Sequence, residues 1–116
     1  MIDLQKTAIS AGIISWKKFC GLYPQLNKYQ MPDIIINRRL KKTGGRCFDF
    51  QNKIDLSHNL MENNIDEYIN VIIPHELAHQ INYNLNGPKC GNHSRSWKQI
   101  MVKYGLPPEI YHRMET

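Results

Sequence analysis

The sequence predicts an α+β fold: an N-terminal helix, a small three-stranded antiparallel sheet, a helix carrying a His-Glu-x-x-His motif, and a C-terminal helix. Three observations predict it. Apolar residues recur at helical spacing in three separate segments. A run of isoleucines followed by looser alternation marks β structure between the first two of those segments. The connections are short and rich in Gly, Pro and Asn, which suits hairpins. With 116 residues, 41% of them apolar, a single domain over residues 1–116 is expected.

The first helix is expected over residues 3–21. Leu4, Thr7, Ala8, Ala11, Ile14 and Phe19 fall on one face, Trp16 packs the helix onto the rest, and Gly21 and Pro24 close it. Residues 33–40 read as a strand, opened by Pro32 and carried by Ile34-Ile35-Ile36. Gly44-Gly45 signals a turn or a close backbone approach. Arg46 to Phe50 reads as a second strand, and Asn52-Lys53 turns into a third at Ile54 to Leu56.

The next helix is expected from Ile65 to Asn84, with Ile65, Ile69, Ile72, Ile73 and Leu77 as its apolar stripe. Asn64 is the expected N-cap, and Glu67 completes a capping-box pattern. Pro74 interrupts the segment. Inside a helix it removes a backbone hydrogen bond at a cost of about 3 kcal/mol, so the helix either kinks there or starts afresh. Gly87-Pro88 stops it. After a loop from Asn86 to Asn92, Ser94 caps a last helix with Trp97, Ile100, Met101 and Tyr104 on its apolar face. Gly105 and Pro107-Pro108 end that helix.

Composition excludes several classes. No stretch approaches the roughly 18–20 apolar residues of a membrane span, and the N-terminus has an early acid and no long apolar core. A cytoplasmic monomer with no membrane partner is the expectation. Cys20, Cys47 and Cys90 are odd in number and form no CxxC pair, which indicates reduced packing residues rather than a zinc ribbon or a disulfide framework. The net charge of +5 is uneven. Residues 1–60 hold ten Lys/Arg against four Asp/Glu, and residues 61–116 hold five against six. The basic half suggests an anionic partner, nucleic acid first; a solvated, solubilising face is the alternative.

The chemistry concentrates in His75-Glu76-Leu77-Ala78-His79. Positions i and i+4 of a helix share a face, so two imidazoles at that spacing can bind one Zn²⁺ at about 2.0–2.1 Å each. Glu76 is angled away from ligation yet within reach of a water at the metal, as a general base requires. The alternative is a pair of surface histidines on an amphipathic helix. A catalytic zinc takes a third protein ligand. His93 is the best candidate, because a loop containing Gly87, Pro88 and Gly91 can fold it back and a helix behind it can hold it. His58, His112 and Cys90 are weaker candidates, and Glu109 and Glu115 lie far along the chain. Arg38, Arg39, Lys41, Lys42 and Arg46 form a basic cluster with Phe48 and Phe50 nearby. It can hold a phosphate backbone and stack bases, or its phenylalanines face the core and its cations lie in solvent. Tyr83, Tyr104 and Tyr111 are available to stabilise an oxyanion, and nothing selects among them.

Four segments together resemble the SprT-like zinc metallopeptidase family. They are Thr43-Gly-Gly-Arg-Cys47, Lys53-Ile-Asp-Leu-Ser57 followed by Asn59-Leu60, Ile72-Ile-Pro-His-Glu-Leu-Ala-His79, and His93-Ser-Arg-Ser-Trp97. They lie in the family's order across residues 43–104. The resemblance implies a zincin-like minimal metalloprotease domain. It implies one catalytic Zn²⁺ on His75, His79 and His93, with Glu76 as base. It also implies that Trp97 anchors the loop presenting His93, and similar proteins place a proline where Pro74 stands. Members of the family digest proteins crosslinked to DNA, so the implied partners are a protein substrate and single-stranded or damaged DNA. The alternative is a zinc-containing DNA-binding module without protease activity. The paired cysteines of the zinc ribbon in bacterial members have no counterpart in this sequence.

Overall fold

The computed structural model describes residues 2–108. Helix α1 (Leu4–Leu22) opens on Asp3, whose carboxylate accepts the Lys6 N–H, and leads into a short 3-10 turn at Pro24–Lys28. Strands β1 (Asp33–Asn37), β2 (Gly45–Phe48) and β3 (Lys53–Ser57) follow, with a 3-10 turn at Asp49–Gln51 between the last two. Then come α2 (His58–Asn63), α3 (Ile65–Glu67), a π-helical turn at Tyr68–Ile72, α4 (Ile73–Asn86) and α5 (Arg95–Tyr104). Among the described residues, no helix is long and apolar enough to cross a membrane.

The fold is α+β as expected, but the sheet is mixed rather than antiparallel. Its order is β1-β3-β2, with β3 parallel to β1 and antiparallel to β2. The segment 38–44 therefore carries the chain past the position of β3 instead of turning it back as a hairpin. Burial explains the order. Ile54 to Ser57 of β3 are all buried, whereas Ile35 in the isoleucine run of β1 is 40% exposed. The strand covered on both faces takes the centre. β1 ends at Asn37, short of the expected Leu40, and Ser57 Oγ donates to the Leu40 carbonyl at 2.7 Å to hold the departing chain.

The outer edge of β1 is covered. Gln5 of α1 donates to the Ile34 carbonyl at 2.6 Å and accepts the Ile36 N–H at 3.0 Å, so one side-chain amide stands in for a neighbouring strand. The helix lies close enough because its inner face is small. Ala8, Ala11, Gly12 and Ser15 are buried there beside Trp16 and Phe19. A Cβ on Gly12 would overlap Cδ1 of Ile34. Ile14, expected on the inner face, is instead 72% exposed, because the face that fits the sheet is the one carrying the small residues.

The expected helix from Ile65 to Asn84 is helical throughout and runs on to Asn86, but its turn at Tyr68–Ile72 is π-helical. The Ile73 N–H bonds to the Tyr68 carbonyl five residues back, and this wider turn directly precedes Pro74, which has no N–H to continue the ladder. Asn64 stands at the N-cap of α3 as expected, its carbonyl accepting the Tyr68 N–H at 3.0 Å, while its side-chain amide donates back to the Leu60 carbonyl at 2.8 Å and closes α2. Helix α2 itself has no counterpart among the expected elements, although Ser57 caps it through the Leu60 N–H. Ser94 caps α5 as expected, and Trp97, Ile100 and Met101 are buried with Tyr104 packed against them. Buried residues of α1, β3, α4 and α5 form one cluster, including Phe19, Leu56, Leu77, Ile81 and Trp97.

Candidate metal centre

His75 and His79 stand one turn apart on α4, and His93 enters from the loop before α5. Their donor nitrogens lie within 4.8 Å of one another, and Nε2 of His79 is 3.1 Å from Nε2 of His93. A tetrahedral zinc with bonds of about 2.0–2.1 Å spaces its nitrogens about 3.3 Å apart, so the separation fits. The three imidazoles are the described group whose donors converge. His58 begins α2 and Cys90 sits on the cavity wall, and neither belongs to that group. His112, Glu109 and Glu115 lie outside the described residues.

The electrostatics favour neutral ligands. Burial, then the neighbouring His75 and His93, push His79 down to about 3. Burial and Lys98 lower His93 as well. Neutral imidazole is the form that binds a metal. Trp97 touches all three rings: it stacks on His79 and meets His75 and His93 edge-on, with centroids 4.8–5.0 Å away.

Glu76 is 7% exposed, and its Oε2 lies 3.9 Å from Nε2 of His75. Burial pushes its carboxyl up to about 8, so that burial alone leaves it protonated near neutral pH. Strand β2 runs directly over it. A Cβ on Gly45 would come within 3.2 Å of Glu76 Cγ and of the Asp55 carbonyl oxygen, so this close pass depends on glycine. The histidines and Glu76 line a cavity of about 680 Å³. Lys42, Gly45, Arg46 and Cys47 bound it on one side, and Cys90, Gly91 and Asn92 on the other.

Two buried side chains hold the β2 wall. Tyr68 donates to the Gly44 carbonyl at 2.7 Å, and the Ser57 N–H donates to the same oxygen at 3.0 Å. Gln80, directly after His79, donates to the Asp49 carbonyl at 3.2 Å and accepts from the Cys47 thiol at 3.6 Å. Burial, then Glu76 and Asp49, raise the Cys47 thiol well above its usual range. Neither Tyr68 nor Gln80 is among the residues that the sequence pattern marks for function. The signal for Gln80 is a glutamine at a position that the helical period turns toward the core.

The basic cluster divides. Lys42 and Arg46 line the cavity, while Arg38, Arg39 and Lys41 are exposed beyond it. Arg46 is tied to buried Asp55 at 3.3 Å, and Lys53 lies 3.8 Å from the same carboxylate. The Arg46 guanidinium sits 5.1 Å from the centre of the Phe48 ring. Phe50 is 82% exposed, edge-on to Tyr83, which rules out a core role for it. Tyr104 packs on Phe19 with the rings tilted by 32°, and neither Tyr83 nor Tyr104 lines the cavity; Tyr111 lies outside the described residues.

Comparison with known proteins agrees with the resemblance. The model of the SprT-like family matches residues 10–112. The protein SprT of Pasteurella multocida is 33% identical over 89 residues, covering 76% of this chain and 53% of its own. SprT of Vibrio atlanticus is 35% identical over 75 residues, 64% of this chain and 45% of its own. SprT of Actinobacillus succinogenes is 36% identical over 67 residues, 57% and 39%. The chain spans about half the length of the curated relatives it matches. No solved structure matches it.

Proposed function

The chain belongs to the SprT-like family, and on that premise we propose that it is a zinc-dependent metalloendopeptidase with a zincin-like site, acting on protein segments associated with DNA. One observation carries the reading. Three convergent imidazoles and a buried carboxylate share a cleft with the open edge of a β-strand. In an antiparallel ladder, peptide groups point alternately toward and away from the partner strand. The Ser57 N–H bonds to Gly44 O, so the N–H and C=O of Gly45 and Cys47 point away from β3, toward the cleft. An extended peptide can pair with those groups. The edge of β1 offers no such site, because Gln5 occupies it.

His75, His79 and His93 would hold the zinc, which when bound supplies a Lewis acid and a water of lowered pKa. Glu76, buried beside the three histidines, takes the proton from the attacking water and passes it to the leaving amine. Gly45 leaves room between β2 and α4 for Glu76 to occupy this position. Lys42 and Arg46 on the cleft wall, continued by Arg38, Arg39 and Lys41, are the surface proposed to hold single-stranded or damaged DNA.

Substituting Glu76→Gln tests the catalytic reading. The variant should bind one zinc per chain and lose cleavage of an unfolded protein such as β-casein. Continued cleavage would remove Glu76 from the chemistry. A wild-type protein that binds zinc and DNA but cleaves nothing would favour the alternative of a DNA-binding module.

A further inference from the structure

Of the three histidines, His93 alone comes from a loop. That loop, residues 87–94, leaves α4 at a cap bond from the Gly87 N–H to the Tyr83 carbonyl at 2.8 Å and is then tied locally: the Cys90 N–H donates to the Gly87 carbonyl at 3.2 Å and the Ser94 N–H to the Asn92 carbonyl at 3.0 Å. Neither of these two local bonds holds the His93 end of the loop to the helix that carries the other two histidines. Asn82 does. It lies three positions beyond His79 on α4 and is 1% exposed. Its Nδ2 donates to the Gly91 carbonyl at 3.5 Å and to Ser94 Oγ at 3.4 Å, one atom on each side of His93. Its Oδ1 accepts from Asn86 Nδ2 at 2.8 Å, which turns the amino end toward the loop. Ser94 Oγ also caps α5 through the Trp97 N–H at 3.5 Å. One buried amide thus links the helix bearing His75 and His79 to both flanks of His93 and to the cap of the helix bearing Trp97.

A fully buried amide keeps its place only if its polar atoms are satisfied, and this one directs its donors to the loop. We propose that Asn82 is a positioning residue for the metal centre, holding His93 against His75 and His79. The proposal rests on those three histidines being the ligands. Partners that orient ligands from outside the coordination sphere change metal affinity by about 10–100-fold when removed.

The test is the Zn²⁺ affinity of the full chain, stripped with a chelator and titrated in competition with a chromophoric chelator. Asn82→Leu, close in volume and without donors, should bind Zn²⁺ about 10–100-fold more weakly. Asn82→Asp, which presents an oxygen where the amino group donated, should do the same, and it serves if the leucine variant does not fold. Gln80→Leu is the control for general damage. Gln80 is an equally buried amide on the same helix, but its bonds run to Cys47 and Asp49 on the opposite wall and to Asn84 on its own helix, none to the loop of His93. It should lower the melting temperature yet leave Zn²⁺ affinity within about threefold. In a His93→Ala background, Asn82→Leu should have no further effect on Zn²⁺ affinity, because the ligand it positions is gone.

Wild-type affinity in both Asn82 variants would overturn the proposal. So would an equal loss with and without His93, or an equal loss in Gln80→Leu, since each describes a merely structural amide. Equal Zn²⁺ affinity of wild type and His93→Ala would instead overturn the ligand assignment on which the proposal stands.

Discussion

Trp97 stacks on His79 with ring centroids 5.0 Å apart and planes 12° apart. It is fully buried, and its edge meets the other two imidazoles. The indole is therefore a floor that limits how all three rings can turn. Trp97→Leu should lower stability by about 3 kcal/mol, near the low end for losing a buried tryptophan, because leucine refills part of the space. It should also weaken Zn²⁺ binding, because the rings lose their stop. A fluorescence titration checks the contact directly. Zn²⁺ should change tryptophan emission in the wild type, and Trp97→Phe should abolish the change while Trp16 continues to emit. A zinc response that survives in Trp97→Phe would sink this account.

The chelator-stripped protein should have a stability profile bounded on both sides by the site. Glu76 sits at about 8 in the folded chain against an ordinary 4.5. The folded form keeps a proton that the unfolded chain releases, so this group's contribution is full below about 4.5 and is lost as pH rises toward 8. His79 has the opposite sign. Held at about 3 against an ordinary 6.5, it contributes above about 6.5 and loses that contribution as pH falls toward 3. Urea unfolding of the stripped protein should show Glu76→Gln gaining stability over wild type between pH 5 and 8, by roughly 4 kcal/mol at the upper end. The two proteins should converge below pH 4.5. A constant difference across that range would rule out the burial of Glu76 as the cause.

Gly12 against Ile34 sets how closely α1 approaches the sheet. In an exposed helix, Gly→Ala would add about 1 kcal/mol of stability. Here the added methyl meets Ile34 Cδ1, and overpacking of this kind costs about 1–3 kcal/mol. Gly12→Ala should therefore be neutral or destabilising. Ile34→Val, which removes the obstructing methyl, should be better tolerated together with Gly12→Ala than on its own. A double-mutant cycle by thermal melting measures the coupling, and additive effects would mean that the helix simply moves away.

The basic surface makes a salt-dependent prediction. Reversing Arg38, Arg39, Lys41 and Lys42 to Glu should weaken single-stranded DNA binding. It should also flatten the slope of log affinity against log salt by roughly 3, at about 0.7 for each phosphate no longer neutralised. Fluorescence anisotropy at several salt concentrations gives both quantities. Unchanged affinity and slope would place these cations in solvent alone.

Much of the site is legible along the chain because its signals are local. The spacing of His75 and His79 follows from the helical repeat, Ser94 and Gly105 mark the ends of α5, and the Gly/Pro loop after α4 has the length to return His93. Pattern misleads where a choice depends on distant partners. The isoleucine run looks like the strand to bury, yet β1 is an edge, with β3 on one side and Gln5 of α1 on the other. Ile14 satisfies the period of α1 as well as Gly12 does, and only the fit to Ile34 decides which of them faces inward. Phe50 and Phe48 are near neighbours in sequence, but the 3-10 turn at Asp49–Gln51 sends Phe50 into solvent.

By itself the sequence determined the helical pairing of His75 with His79, the adjacent carboxylate, the loop that returns His93, and the family, since these depend on residue type and short spacing. Only the tertiary structure decided the mixed strand order, the closeness of Gly45 to Glu76, and the ties of Tyr68, Gln80 and Asn82 to the cleft walls. Those contacts join residues far apart in the chain, where packing volume and the need to satisfy buried polar atoms choose among arrangements that local pattern leaves equivalent.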